Sequence, residues 1–134
     1  MRRQFRLPQN DEAYLESLGR PWETLLEGGS RWLLVHEWPV PGGYTSSIVS
    51  IAVLIEPAYP DGQLDMVYAI PHLLRADGAG IPNLSAQTIE GRSWQRWSRH
   101  RTGTNPWRPG VDDLSAHLFL VDEWFAREFA RRAA

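Results

Sequence analysis

Apolar side chains recur at helical spacing toward the C-terminal end of the chain. Between Asp112 and about Arg131 they stand three or four residues apart, at Leu114, Leu118, Val121, Phe125 and Phe129. Asp112 and Asp113 suit the first turn, because a helix N-terminus favours negative charge. The pattern predicts a helix about 30 Å long, enough to cross a small sheet.

The first half of the chain alternates between short apolar runs and turn residues. A short helix is predicted from Asn10, as its N-cap, to Gly19. Four strands are predicted after it, at Trp22–Leu26, Arg31–Trp38, Ser47–Glu56 and Leu64–Ile70. Glycine, proline and aspartate separate these runs, which favours an antiparallel meander.

Residues 71–110 lose this periodicity, because prolines and glycines interrupt it throughout. So long an irregular segment in a small domain is usually functional or disordered. Its three large rings argue against disorder, since Trp94, Trp97 and Trp107 need something to pack on. We therefore expect one α+β domain over residues 1–134, with an N-terminal helix, a four-stranded meander, a long irregular active-site segment and a C-terminal helix.

Composition limits the available chemistry. None of the 134 residues is a cysteine, which excludes disulfides, thiolate metal sites and thiol nucleophiles. All 14 basic residues are arginine, which either GC-rich codon usage or a need to avoid modification at lysine would produce. No apolar run reaches the roughly 18 residues of a membrane span, and no apolar stretch follows the basic N-terminal residues. We expect a cytoplasmic protein without a signal peptide.

Histidine spacing gives no sign of a metal site. His36, His72, His100 and His117 match no known ligand pattern, so neither a metal nor another cofactor is expected.

The segment 92–101 alternates arginine with tryptophan. Arg96, Arg99 and Arg101 beside Trp94 and Trp97 suit stacked bases and phosphates, or an acidic protein partner. A structural interpretation is that arginine stems stack on tryptophan and fix the loop. We favour the structural interpretation and leave partner binding open. The net charge of −2 counts against nucleic acid.

Three short motifs occur in a fixed order along the chain. Tyr59-Pro60 lies between the third and fourth predicted strands, Pro82-Asn83-Leu84 lies in the irregular segment, and Trp107-Arg108-Pro109 precedes the last helix. In this order they resemble the landmarks of ubiquitin-conjugating (UBC-like) domains. The sequences of residues 91–101 and 105–110 resemble those of the prokaryotic UBC-like family E. Two departures are Ile81, where the family has histidine, and residues 61–65, where it has further prolines.

This resemblance implies a UBC-like fold, whose last helix is the crossover helix, and a place in a bacterial conjugation pathway. The implied partners are a ubiquitin-like protein, an activating enzyme and possibly a JAB-type deconjugating peptidase encoded in the same operon. Antiviral defence is the implied setting. No membrane partner is expected.

The family's catalytic cysteine is absent, so another nucleophile is needed for acyl transfer. Ser98 lies nine residues before Trp107, close to the family spacing, whereas Ser93 fits the spacing from the preceding glycine. His100 would activate the serine and Asn83 would stabilise the oxyanion. The hypothesis is a serine oxyester. The alternative is a non-catalytic variant that binds the ubiquitin-like protein or the activating enzyme, and a nucleic-acid-binding module is the outsider.

Overall fold

The computed structural model describes residues 1–130 as two helices and six strands, which confirms the α+β class. In chain order the elements are α1 (Gln9–Ser17), β1 (Trp22–Glu27), β2 (Ser30–Pro39), β3 (Ile48–Leu54), β4 (Val67–Ile70), β5 (Leu84–Ile89), β6 (Arg92–Trp97) and α2 (Leu114–Ala130).

All six strands form one antiparallel sheet in the order β1-β2-β3-β4-β6-β5. The prediction of four strands is therefore wrong in number, although β1 to β4 lie close to the predicted runs. β4 is the shortest, because it begins at Val67 and not at Leu64. The two extra strands lie within residues 71–110, which we expected to be irregular.

The β5–β6 hairpin was missed because β5 is largely exposed, and because the buried tryptophans of β6 lie three residues apart and so break the strand alternation. β5 has a single fully buried residue, Ile89, so the alternation that marks a half-buried strand is weak. Glu90 and Gly91 form the two-residue turn, with φ of 53° and 72°. Two successive left-handed residues match the twist of a hairpin, although asparagine more often takes the first position.

Both helices cover one face of the sheet. Leu15 of α1 and Leu118, Val121 and Phe125 of α2 are buried there against Trp97 and the inward residues of β2 to β4. The rings of Trp97 and Phe125 meet edge to face, with centroids 4.9 Å apart. We name this the helix face.

The opposite side of the sheet, which we name the open face, holds a smaller apolar cluster that includes Trp32, Tyr68 and Trp94. No helix contributes to this cluster within residues 1–130. The N-terminal segment joins two distant strands beside it, because the Arg2 guanidinium forms ion pairs with both Glu23 and Glu90. The tip of the β5–β6 hairpin is thereby tied to β1.

Local signals set the helix ends. α2 begins at Leu114, two residues after the predicted start, and the Asp113 carboxylate caps it by accepting a 3.2 Å hydrogen bond from the Ala116 N–H. The predicted end near Arg131 falls outside the described residues. α1 begins at Gln9 after Pro8, so Asn10 is not its N-cap, and Gly19 follows its end with φ of 69°. Among residues 1–130, neither helix is long and apolar enough to cross a bilayer.

Candidate functional site

Two of the sequence motifs contact each other at one end of the molecule. The Trp107 indole N–H donates a 3.1 Å hydrogen bond to the Pro60 carbonyl, and the Trp107 ring lies edge to face with Tyr59 at 5.9 Å. Pro109 and Pro82 are exposed. The Tyr-Pro turn thus fixes the segment that leads into α2.

A buried carboxylate links this turn to both helices. The Tyr59 hydroxyl donates a hydrogen bond to Asp11, and the Leu114 N–H donates to the other Asp11 oxygen at 3.3 Å. Burial raises the pKa of Asp11, although both hydrogen bonds act to lower it. An open cleft of about 220 Å³ lies beside these groups.

The β5–β6 hairpin brings Asn83 next to Ser98. Leu84 pairs with Trp97, so the next pair outward is Asn83 and Ser98, and the Ser98 N–H donates a 3.1 Å hydrogen bond to the Asn83 carbonyl. Asn83 has a left-handed φ of 59°, a conformation that asparagine tolerates better than most residues. Two of the predicted site residues are therefore neighbours at the open end of the hairpin.

His100 lies at the same end, but its partner is a carboxylate. Its Nδ1 is 2.8 Å from Asp65 Oδ2, and the backbone is held nearby by a 3.2 Å hydrogen bond from the Met66 N–H to the Arg99 carbonyl. Within residues 1–130 no hydrogen bond joins His100 to Ser98. Asp65 was not predicted, because its approach depends on β4 pairing with β6, which the chain order does not indicate.

Ser93 has a histidine neighbour of its own. Its hydroxyl lies 3.3 Å from His72 Nε2, and both residues are exposed. Ser93 belongs to β6, opposite Thr88, and not to a loop. The two candidate serines are thus in different surroundings, with a carboxylate–imidazole pair near one and an exposed histidine beside the other.

The tryptophans of this segment lie in the interior. Trp94 and Trp97 are 1% and 0% exposed, so neither ring is available as a surface anchor in this structure. Gln95 lies between them and accepts a 2.9 Å hydrogen bond from the Trp97 indole. Arg96 is half-buried in the same strand.

The neighbouring arginines are mostly occupied within the chain. The Arg99 guanidinium stacks over Trp97 at 4.8 Å and pairs with Glu128 at 3.3 Å. Arg101 stacks over Trp107 at 4.9 Å, with its side chain only 5% exposed. Arginine thus stacks on tryptophan at Arg99 within the segment and at Arg101 on a ring outside it.

A family model described as prokaryotic E2 family E matches residues 7–128. Searches of curated proteins and of solved structures give no match. Within residues 1–130, no three histidine or carboxylate side chains are grouped as a metal site would need.

Proposed function

This chain belongs to prokaryotic E2 family E, and from that premise we infer that it carries a ubiquitin-like protein as an ester on a serine. Membership makes it ubiquitin-conjugating-enzyme-like and implies a ubiquitin-like protein and an activating enzyme as its partners in general. The finer proposal is a bacterial conjugation pathway with a non-cysteine acceptor, encoded with a JAB-type peptidase.

The proposal rests on one arrangement: Asn83 and Ser98 are hydrogen-bonded neighbours at the open end of the β5–β6 hairpin, and the His100–Asp65 pair begins two residues after Ser98. A hydroxyl needs a base to become a useful nucleophile, and an imidazole oriented by a carboxylate is the usual one. The His100 side chain is 59% exposed, so it has room to turn toward Ser98 when a modifier tail arrives.

The transfer needs no cofactor, because the bond that forms at the carbonyl carbon is matched by the bond that breaks there. The Ser98 oxygen attacks the carbonyl carbon of the modifier thioester on the activating enzyme, and its proton passes to His100. The C–S bond breaks and the thiolate leaves, while the Asn83 side-chain amide donates to the oxyanion. The product is an oxyester on Ser98, which is less reactive than a thioester.

A charging assay tests the proposal. The chain is mixed with the activating enzyme and ubiquitin-like protein of its own operon, ATP and Mg²⁺, and adducts are measured by intact mass. We expect a thiol-resistant, hydroxide-labile adduct on the wild type that is lost in Ser98→Ala and reduced about 100-fold or more in rate in His100→Gln. An adduct that persists in Ser98→Ala and disappears in Ser93→Ala would move the site to Ser93 and His72.

A matched substitution sharpens the assay, because the natural chain has no thiol. Ser98→Cys should convert the adduct to one that dithiothreitol releases. Ser85→Cys, an exposed residue of the adjacent strand β5, should not be charged. Charging of both cysteines alike would indicate non-selective transfer and contradict the assignment of Ser98.

The second candidate is a non-catalytic variant that binds the modifier or the activating enzyme. It is favoured by the His100 imidazole, which is held by Asp65 and, within residues 1–130, not by Ser98. No adduct with demonstrably active partners, together with binding by calorimetry, would establish it. The nucleic-acid module is disfavoured, since the buried rings of Trp94 and Trp97 offer no stacking platform.

A further inference from the structure

Three polar side chains form a continuous hydrogen-bonded row across the open face. His36 lies in the middle, with Nδ1 2.8 Å from the Ser50 hydroxyl and Nε2 2.7 Å from Glu23 Oε2. Each residue belongs to a different strand, in the order β1, β2 and β3. The row shares no residue with the Asn83–Ser98 end of the hairpin.

A β-bulge in β2 lies at this alignment. Val35 pairs with Ile51 and Trp38 pairs with Val49, so His36 and Glu37 together lie opposite Ser50 alone. Glu37 adopts a left-handed φ of 55°, which absorbs the extra residue. Bulges and such strained residues are concentrated at functional sites, where they direct a side chain.

The protons of the row are arranged for a nucleophilic hydroxyl. Burial alone would raise the pKa of Glu23, but hydrogen bonds from Arg2 and His36 outweigh it and the pKa is lowered. Glu23 is therefore a carboxylate near neutral pH and can accept a proton from Nε2 of His36. In the tautomer that carries its proton on Nε2, Nδ1 can accept the Ser50 hydroxyl proton.

The row opens on a cleft that a small molecule can enter. Its volume is about 290 Å³, and His36 and Ser50 lie in its wall. Ile70, Pro71 and the half-exposed Ile48 supply apolar surface for a short acyl chain. The exposed Arg92 lies in the same wall and can donate to a developing oxyanion.

We propose that Ser50 is a nucleophile that takes an acyl group from a small carboxylic ester, with His36 as its base and Glu23 as a positioning residue. The Ser50 oxygen attacks the acyl carbon and its proton moves to His36 Nδ1. The C–O bond to the alcohol breaks, and the leaving oxygen takes that proton. Water then attacks acyl-Ser50 by the reverse route and releases the carboxylic acid.

Labelling with a fluorophosphonate tests the site, because only an activated hydroxyl displaces the fluoride from the phosphorus of the reagent and becomes bonded to it. We expect one adduct, mapped to Ser50 by peptide mass, and slow hydrolysis of p-nitrophenyl acetate. Ser50→Ala should abolish both, and His36→Gln should slow labelling about 100-fold or more. The control Ser47→Ala, an exposed serine three residues away, should label like the wild type.

Glu23 needs a readout that separates positioning from folding. Glu23→Gln should lower kcat for the ester about 10-fold or more and leave KM unchanged. Equal changes in the two constants would indicate a general structural effect and remove Glu23 from the assignment.

A unique thiol keeps the proposal testable if Ser50 proves too slow. Ser50→Cys introduces the only cysteine of the chain, and His36 should speed its alkylation by iodoacetamide about 10-fold or more over the Ser50→Cys/His36→Gln double variant. Ser47→Cys is the matched control and should not respond to His36→Gln. Labelling of another hydroxyl in place of Ser50, or no effect of His36 on either reaction, overturns the proposal.

Discussion

The two faces of the sheet differ in the side chains that they bury. The helix face buries many apolar side chains under α1 and α2, whereas the open face combines a smaller apolar cluster with the polar row Glu23–His36–Ser50. Buried polar groups occur under the helices as well, among them Gln95, which accepts the Trp97 indole N–H, and His117, which is fully buried on α2.

We therefore expect the helix face to provide most of the stability of the fold, and the open face to carry chemistry at little cost in stability. Removing apolar area from the helix face should cost much of the folding free energy, since burial of apolar area is the dominant favourable contribution to folding. Removing a hydroxyl from the open face should cost little stability, because the row is partly open to water.

The largest effect is expected at the centre of the helix face. Phe125→Ala removes a ring that is 0% exposed and packs against Trp97, so the free energy of unfolding should fall by about 3–5 kcal/mol. Urea unfolding measures it. Phe119→Ala on the same helix, where the ring is 65% exposed, should change stability by less than about 0.5 kcal/mol. Equal costs at the two positions would contradict the comparison.

His117, on the helix side of the sheet, should make the stability of the fold depend on pH. Burial lowers its pKa from 6.5 to about 4, although its hydrogen bond to the Met66 carbonyl acts in the opposite direction. The unfolded chain binds a proton below pH 6.5 while the folded chain stays neutral until about pH 4. Stability should therefore fall as pH falls through this window, by on the order of 3 kcal/mol.

Urea unfolding from pH 7.5 to pH 4 measures this loss, which should be about 3 kcal/mol from this one group. His117→Gln should remove that component and leave the contribution of the carboxylates, so its curve should be flatter than that of the wild type. Parallel curves would show that the buried imidazole does not resist protonation.

A smaller loss is expected where the Tyr-Pro turn meets the helices. Tyr59→Phe removes the hydroxyl that donates to Asp11 and leaves that buried carboxylate with fewer donors, so stability should fall by about 1–3 kcal/mol. Thermal unfolding is a sufficient measurement. Tyr14→Phe, on the half-exposed side of α1, is the control and should have no more than a few tenths of that effect.

The smallest effect on stability is expected on the open face. Ser50→Ala removes one hydrogen bond to His36 at a site that water can reach, so the cost should be about 1 kcal/mol or less. Urea unfolding of this variant also shows whether a loss of labelling reflects lost chemistry. A cost near that of Phe125→Ala would make the row a structural element.

The helices could be predicted from the sequence because their signals are local. Apolar spacing predicted the buried face of α2, and Gly19 predicted the end of α1. The first four strands followed from short apolar runs separated by turn residues. The β5–β6 hairpin could not be predicted in this way, because the edge strand β5 buries only Ile89 completely and so lacks the alternation that marks a half-buried strand.

The candidate site was predicted in part. Asn83 and Ser98 were named from motif spacing, and the hairpin register brings them together. The pairing of Ser98 with His100 was inferred from sequence proximity, whereas the histidine's partner is Asp65, 35 positions away. Contacts between strands depend on register, and nothing local in the chain encodes which strand lies beside β6.

The bulge in β2 has a consequence for how this protein can change over evolutionary time. β2 holds one residue more than regular pairing with β3 needs, and Glu37 absorbs it. Losing Glu37 would therefore restore a regular register, with His36 opposite Ser50 and Trp38 still opposite Val49 on the helix face, where it donates a 2.9 Å hydrogen bond to Asp122 of α2. A single-codon deletion at Glu37 is thus a change that the sheet can absorb, whereas a deletion in the regular part of β2 would turn the positions on one side of it to the opposite face.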